Sequence, residues 1–190
     1  IGGPLSLSDT ELNNITTGTL IIGNTNSGNV NISAAISRPA STNIQLVSGG
    51  DVIFNNGFDT GGGTMLLDPG TSPKAVKPTY NGTDVTASTL SFLSDLQITV
   101  NGTTMGDGTG STYSQLNVAG AVNLTGVDLR FAGSYTPVGG NTFTILDNDG
   151  TDAITGTFTG LAEGETISNF LGSVLNATIS YTVLILTHQE

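Results

Sequence analysis

The sequence predicts an all-β chain folded as a parallel β-solenoid, with a less regular C-terminal portion that caps it. Glycine supplies 27 of the 190 residues and charged side chains only 10%, a composition typical of turn-rich β proteins. The apolar residues come in runs of three to five with a period of two, separated by Gly, Asn and Asp, which indicates short strands. Several of these runs also recur at a nearly constant spacing, which is typical of repeat architectures.

In chain order, each predicted strand is a short apolar run bounded by residues that favour turns. The first half contains runs at 20–22, 30–32, 44–47, 52–54, 65–67, 90–93 and 96–100. The second half contains runs at 116–118, 122–124, 127–131, 142–146, 156–158 and 177–186.

The spacing of like residues predicts how these strands stack. Ile22, Ile44 and Leu66 lie 22 residues apart, and the same offset relates Val30 to Val52, Ile32 to Phe54 and Gly28 to Gly50. Leu96 and Ile98 recur 20 residues later as Leu116 and Val118, and Val122 and Leu124 recur 21 residues later as Phe143 and Ile145. Such offsets suit the coils of a solenoid, whereas a β-sandwich has no reason to keep them constant.

The chain divides into residues 1–105, predicted as solenoid coils that are most regular over 12–67, and 106–190, a capping portion that is less regular from about Leu116. Three prolines predict a polar loop at about 68–88, because Pro cannot donate to a sheet ladder. The glycine-rich stretch 101–111 predicts a bulge between coils. The apolar strand 179–186 is predicted to cover an open end of the solenoid or to contact another chain. With no Met at its start, the chain is expected to be one continuous unit excised from a larger protein.

The charge balance excludes several classes of partner. Four Lys and Arg residues against 15 Asp and Glu give a net charge of −11, which phosphate backbones and anionic lipids repel. No apolar run approaches the ~18 to 20 residues that a membrane helix needs. We therefore expect no nucleic-acid binding and no membrane insertion. The absence of cysteine favours a bacterial envelope protein over a small secreted eukaryotic domain.

Two groups of segments resemble known bacterial repeats. LSDTELNNI at 7–15, TLIIG at 19–23 and GNVNI at 28–32 resemble coils of filamentous-haemagglutinin-type surface proteins. SQLNVAGAVNL at 114–124, FTILDNDG at 143–150 and ITGTF at 154–158 with LAEG at 161–164 resemble the end of autotransporter-passenger-like repeats.

This resemblance implies a right-handed parallel β-helix that is exported and acts as an adhesin or structural stalk, extracellular or on the outer surface of a bacterium. It implies contact with another cell surface, a matrix protein or a glycan, and supplies no catalytic residues. The family usually places a Gly-Asp-Gly-Asn-Asp turn after its Ile-Ser-Tyr strand. Here ISY at 179–181 runs directly into TVLILT at 182–187, so no calcium role is carried over from that turn. Bare strand edges at the solenoid ends would also allow self-association.

A search for catalytic chemistry predicts that the chain is not an enzyme. His188, the one histidine, is the third residue from the C-terminus, where a catalytic triad is not expected. The alternative is a carbohydrate-active β-helix enzyme or a glycan-binding module. Its acids and bases would come from Asp51, Asp59, Arg38 and Arg130, whose spacing does not separate catalysts from turn residues. Lys74 and Lys77 would contact an anionic sugar or form ordinary soluble surface. No cofactor is predicted, since the glycine pairs lack the Lys-Ser/Thr of a P-loop.

The run DNDGTD at 147–152 has two interpretations. Alternating carboxylates with a glycine resemble the start of a calcium loop, with Asp147, Asp149 and Asp152 as the oxygen ligands. The twelfth position from Asp147 is Phe158, where an EF-hand would have a bidentate Glu. The other interpretation is a polar turn between strands, since Asp, Asn and Gly all tolerate left-handed backbone.

Overall fold

The structure is a computed structural model that describes residues 6–149, 152–181 and 185–188. Almost all of its regular elements are strands. The exceptions are one short helix, α1 (Asp9–Asn13), and a single 3-10 turn at Phe170–Gly172. Ser8 and Glu11 form a capping box at the start of α1, which satisfies two free backbone N–H groups. The all-β prediction is confirmed.

The strands are short and run in the following order. They are β1 (Thr19–Asn24), β2 (Val30–Ile32), β3 (Ile36–Ser37), β4 (Asn43–Ser48), β5 (Val52–Phe54), β6 (Phe58–Asp59), β7 (Thr64–Asp68), β8 (Ala75–Pro78), β9 (Val85–Phe92), β10 (Asp95–Thr99), β11 (Thr104–Gly106), β12 (Thr112–Ser114), β13 (Leu116–Asn123), β14 (Leu129–Ala132), β15 (Thr142–Thr144), β16 (Leu146–Asp147), β17 (Ile154–Thr155), β18 (Thr166–Ile167), β19 (Ala177–Ser180) and β20 (Ile185–His188).

Most strands pair in parallel, in rows to which the chain returns repeatedly. One row runs β1-β4-β7-β9-β13, and β13 continues to β16 and β17. A second runs β14-β10-β8-β5-β2, and a third, shorter row joins β3 to β6 and β6 to β9. Because parallel neighbours cannot be joined by a tight hairpin, each strand of these rows pairs with one from another passage of the chain.

The register confirms part of the predicted spacing and corrects the rest. Val30 pairs with Val52, and Ile32 with Phe54, at the predicted offset of 22. Ile22, however, pairs with Leu46, not with Ile44. The two rows differ because the turns between their strands differ in length, so no single offset applies to all of them.

The second-half offsets of 20 and 21 were wrong. Leu96 pairs with Leu129, Leu116 with Leu146 and Val122 with Ile154. Between β10 and β13 the chain leaves the rows to form β11 and β12, which pair with each other in a small parallel sheet; Tyr113 of β12 also bridges to Val100. This insertion begins in the predicted 101–111 bulge and extends past it to Ser114. It lengthens the passage, so like residues no longer recur at about 20.

The proline-rich segment 68–88 was predicted to be a loop. Instead, it contains strand β8, which lies in the middle of the second row. Val76 pairs with Val52 on one side and with Leu96 on the other. Pro78 is tolerated because it is the last residue of β8 and lies two positions beyond the last pair between β8 and β10. The ladder to β5 continues at the next residue, where the Thr79 N–H donates to Phe54 O at 2.9 Å. A proline at a strand end removes no ladder bond that the sheet needs.

The C-terminal part of the chain forms an antiparallel sheet in the order β15-β20-β19-β18. The predicted single strand 179–186 is therefore wrong: Ile179 lies directly opposite Leu186 in a hairpin, and residues 182–184 between the two strands lie outside the described residues. A hairpin satisfies its own backbone groups, which a single strand laid over the end would not. The ring of Phe143 packs edge-on against Tyr113 at 5.2 Å, and Phe170 against Phe131 at 5.0 Å.

One hydrophobic core runs through the rows and into this sheet, from Leu12 to Ile179. Its members occupy equivalent positions in successive strands, as in the series Ile44, Met65 and Leu90, each 2% exposed or less. The predicted division at 105/106 falls inside β11, and the parallel rows continue past it to β17.

Candidate functional site

A small polar cleft lies where three passages of the chain meet. It has a volume of about 240 Å³ and is lined by the turn Asn81–Thr83, by Met105, by the β13 segment Asn117–Ala119, and by Asp147 and Asp149. The pairing of Asn117 with Asp147 brings β13 and β16 together at this point. Two carboxylates and two amides thus face a shared space beside the third row.

Asp84 follows the lining residue Thr83 in the chain and is completely buried. Its Oδ2 accepts a hydrogen bond from the Asn117 N–H at 2.9 Å, whereas its Oδ1 has no hydrogen-bond partner among the described residues. Burial raises the pKa of Asp84 to about 8, and the hydrogen bonds from Asn117 offset part of that rise. The carboxyl is therefore mostly protonated at neutral pH.

The sequence did not single out Asp84. Val85 and Ala87 alternate with Thr86 along β9 and point inward, so a period of two places Asp84 on the outside. The residue is buried because it sits at the corner where the chain enters the strand, and its main-chain N–H donates to Asn117 O at 2.9 Å. A corner has no side-chain periodicity, so the sequence held no signal for this burial.

The structure brings together two of the three predicted calcium ligands. Asp147 and Asp149 both line the cleft, and Asp152 is not among the lining residues. Asp149 has left-handed backbone, with φ of 53°, and Asn148 Nδ2 donates to Asp152 O at 2.6 Å, as the turn interpretation expects. In the ranges 6–149, 152–181 and 185–188, no three His, Cys, Asp or Glu side chains are placed to hold a metal ion. Gly150 and Thr151 lie outside these ranges, and the calcium site and the polar turn both stay untested interpretations.

The other predicted acids and bases bind within the fold. Asp51 accepts from Lys77 Nζ at 2.8 Å and from the Ala75 N–H at 3.0 Å. Asp59 accepts the Gly61 N–H at 2.8 Å. Each of these contacts fixes a turn or joins neighbouring strands.

The two predicted arginines have similar roles. Arg38 is buried and donates to the carbonyl oxygens of Leu12 and Ile15, which anchors α1. Arg130 contacts Asp95 at 3.2 Å and Ser72 Oγ at 2.9 Å. His188 lies in β20, and its side chain is outside the described part of the structure.

No family model, no curated protein and no solved structure matches this chain. No helix in the described residues is long and apolar enough to cross a membrane.

Proposed function

We propose that the chain is a right-handed parallel β-helix that serves as a segment of a secreted or surface-anchored bacterial adhesin or stalk. The observation that carries the proposal is the return of the chain to the same rows, in which buried apolar residues pair one passage later, as Val30 does with Val52 and Leu46 with Leu67. Parallel crossovers between strands are right-handed in about 98% of cases, which supports the handedness.

Polar contacts between neighbouring passages support the role of a stalk. Three asparagine side chains act alike: each Oδ1 accepts a backbone N–H from the equivalent position of the next passage. The pairs are Asn29 with Asp51 at 2.9 Å, Asn43 with Thr64 at 3.0 Å and Asn101 with Ser134 at 2.8 Å. Contacts of this kind stabilise each coil through its neighbours, so a stack of coils can extend without a larger core.

The two ion pairs in the described residues follow the same pattern. Asp51–Lys77 joins the start of β5 to β8, and Asp95–Arg130 joins β10 to β14. Three of the four cationic side chains, Arg38 included, are therefore used inside the fold. The remaining surface is rich in polar uncharged and acidic groups, which suits an extracellular spacer that contacts a cell, matrix protein or glycan.

Attachment of coated beads tests this function. Beads carrying the purified chain are applied to immobilised matrix proteins, to glycans and to cells, and we expect saturable attachment that free chain competes away. Beads carrying the heat-unfolded chain are the control. Equal attachment of both kinds of bead, or attachment to none of the surfaces, would contradict the adhesin proposal.

The polar cleft favours a second candidate, a glycan-binding module or a carbohydrate-active enzyme. Carboxylates and amides are suited to hydrogen bonding with sugar hydroxyls, and Asp147 and Asp149 stand together there. Binding of a polysaccharide panel, compared between the chain and its Asp147→Asn/Asp149→Asn variant, separates the candidates. Loss of glycan binding in the variant assigns a glycan site, and release of reducing sugar that is lost with it assigns an enzyme.

A further inference from the structure

The first passage of the chain leaves its core residues half-covered. Leu20, Ile22 and Val30 on β1 and β2 are only partly buried. Their partners one passage later, Ile44, Leu46 and Val52, are 2%, 0% and 0% exposed. In the described part of the structure, β1 and β2 each end a row and pair on one side only.

A cavity of about 600 Å³ opens at this end of the stack. Its apolar lining includes Leu12, Ile22, Val30, Leu46 and Phe58, and the rest of its lining is Ser, Asn, Gly, Ala, Leu and Ile. Among the described residues, none that lines the cavity carries a charge, although the chain as a whole has a net charge of −11. Apolar patches of this kind on a soluble chain mark interaction surfaces.

The open strand edges also offer backbone hydrogen bonds. The Asn43 N–H of β4 donates to Gly18 O at 2.9 Å. The backbone N–H and C=O groups of a parallel strand point alternately to its two sides. The N–H and C=O of Ile21 therefore face away from β4. By the same alternation, the Val30 N–H donates to Asp51 O, and the groups of Asn31 face the free edge of β2.

The edge of β3 is closed, in contrast to β1 and β2. Asp9 Oδ1 in α1 accepts the Ser37 N–H at 2.8 Å. The anchoring of α1 by Arg38 holds this cover in place. At this end of the stack, the free strand edges among the described residues are therefore those of β1 and β2.

We propose that a second copy of this chain docks on this end, with β1 of one copy pairing antiparallel with β1 of the other in a twofold dimer. Two chains of charge −11 repel each other over most of their surface, and the uncharged end is where they can meet without like charges in contact. A twofold contact uses the same surface of both copies, so the association stops at two. This proposal rests on pairing, burial and charge, and it stands if the proposed adhesin function fails.

Sedimentation of the full chain and of three variants tests the dimer. Ile21→Pro removes one N–H donor from the free edge, where no bond among the described residues uses it, and an edge strand tolerates Pro. Because the twofold axis doubles the loss, we expect the dimer dissociation constant to rise about tenfold or more. Ile21→Thr keeps the N–H and is the matched control, with a dissociation constant within about threefold of the parent chain. Asn31→Asp adds one charge per copy at the uncharged end, and we expect a weaker dimer that 0.5 M NaCl restores.

Spin labels locate the contact. The chain has no cysteine, so Thr25→Cys near the end of β1 and Val174→Cys in the C-terminal portion each accept one label. We expect a defined label-to-label distance for Thr25→Cys and none in the same range for Val174→Cys. A dimer that Ile21→Pro leaves intact, or a short distance at Val174, would overturn the proposal. So would a chain that stays monomeric at millimolar concentration and dimerises only after removal of residues 1–5.

Discussion

At the scale of single residues, Asp84 is the described group whose pKa is raised far enough to couple stability to pH. Its pKa is raised to about 8 by burial, against about 3.9 in an unfolded chain. At a pH between these two pKa values, the Asp84 carboxyl is protonated in the folded state and ionised in the unfolded state. The contribution of Asp84 to stability is therefore fully present below about pH 4 and is lost as the pH rises through about 8.

Asp84→Asn should remove this dependence, because a neutral amide keeps the acceptor for the Asn117 N–H and has no proton to lose. We expect the difference in free energy of unfolding, variant minus parent, to grow by about 2–4 kcal/mol in favour of the variant between pH 5 and pH 8. Urea unfolding at both pH values measures it. Asp128→Asn, at an exposed acid, is the control and should show a flat difference. The same flat difference for Asp84→Asn would contradict the raised pKa.

At the scale of elements, strand β13 contains a bulge that depends on one glycine. Gly120 has φ of +124°, and the register of β13 against β9 shifts between Ala119 and Ala121. A Cβ at Gly120 would overlap the carbonyl oxygen of Ala87, which is part of the buried strand β9. The backbone of β9 cannot move aside without loss of its other ladder bonds.

Gly120→Ala should therefore lower the free energy of unfolding by about 3 kcal/mol or more, since strain in the backbone conformation adds to the overlap. Gly126→Ala is the matched control. Gly126 also has positive φ, +79°, but no atom lies within 4 Å of its Cβ position, so only the backbone strain of about 1–2 kcal/mol remains. Chemical denaturation compares the two, and equal losses would show that the close approach to β9 is unimportant.

The elements also show how far the sequence predicts this fold. Period-two apolar runs located β2, β5 and β10 within about a residue, because buried strand faces are read directly from alternation. The two-residue strands β3 and β6 are too short to carry a period. The proline rule misassigned β8, since Pro78 stands where its missing N–H is not needed. Of the residues that line the cleft, the sequence singled out only Asp147 and Asp149, as calcium ligands. The other lining residues lie far apart in the chain, so no local pattern connects them.

At the scale of the whole molecule, the net charge of −11 makes the folded chain repel itself. Few cations oppose this repulsion, and three of the four bind within the fold, as Lys77 and Arg130 do. Any added salt screens the repulsion and should stabilise the chain. Stabilisation by calcium is therefore evidence for a site only when it exceeds that of a monovalent salt at the same ionic strength.

We expect CaCl2 at 5 mM to raise the melting temperature no more than NaCl at equal ionic strength. Calcium requires six to eight oxygen ligands, and the described residues do not place three acidic side chains together. Thermal melts of the parent chain, of Asp149→Ala and of Asp128→Ala measure this, the last variant removing one exposed charge elsewhere. A larger shift with calcium, lost in Asp149→Ala and kept in Asp128→Ala, would contradict the expectation. Such a result would assign the calcium binding to Asp149. A bound ion stabilises the folded state by mass action and needs its ligand, whereas screening by salt is the same whether Asp149 or Asp128 is removed.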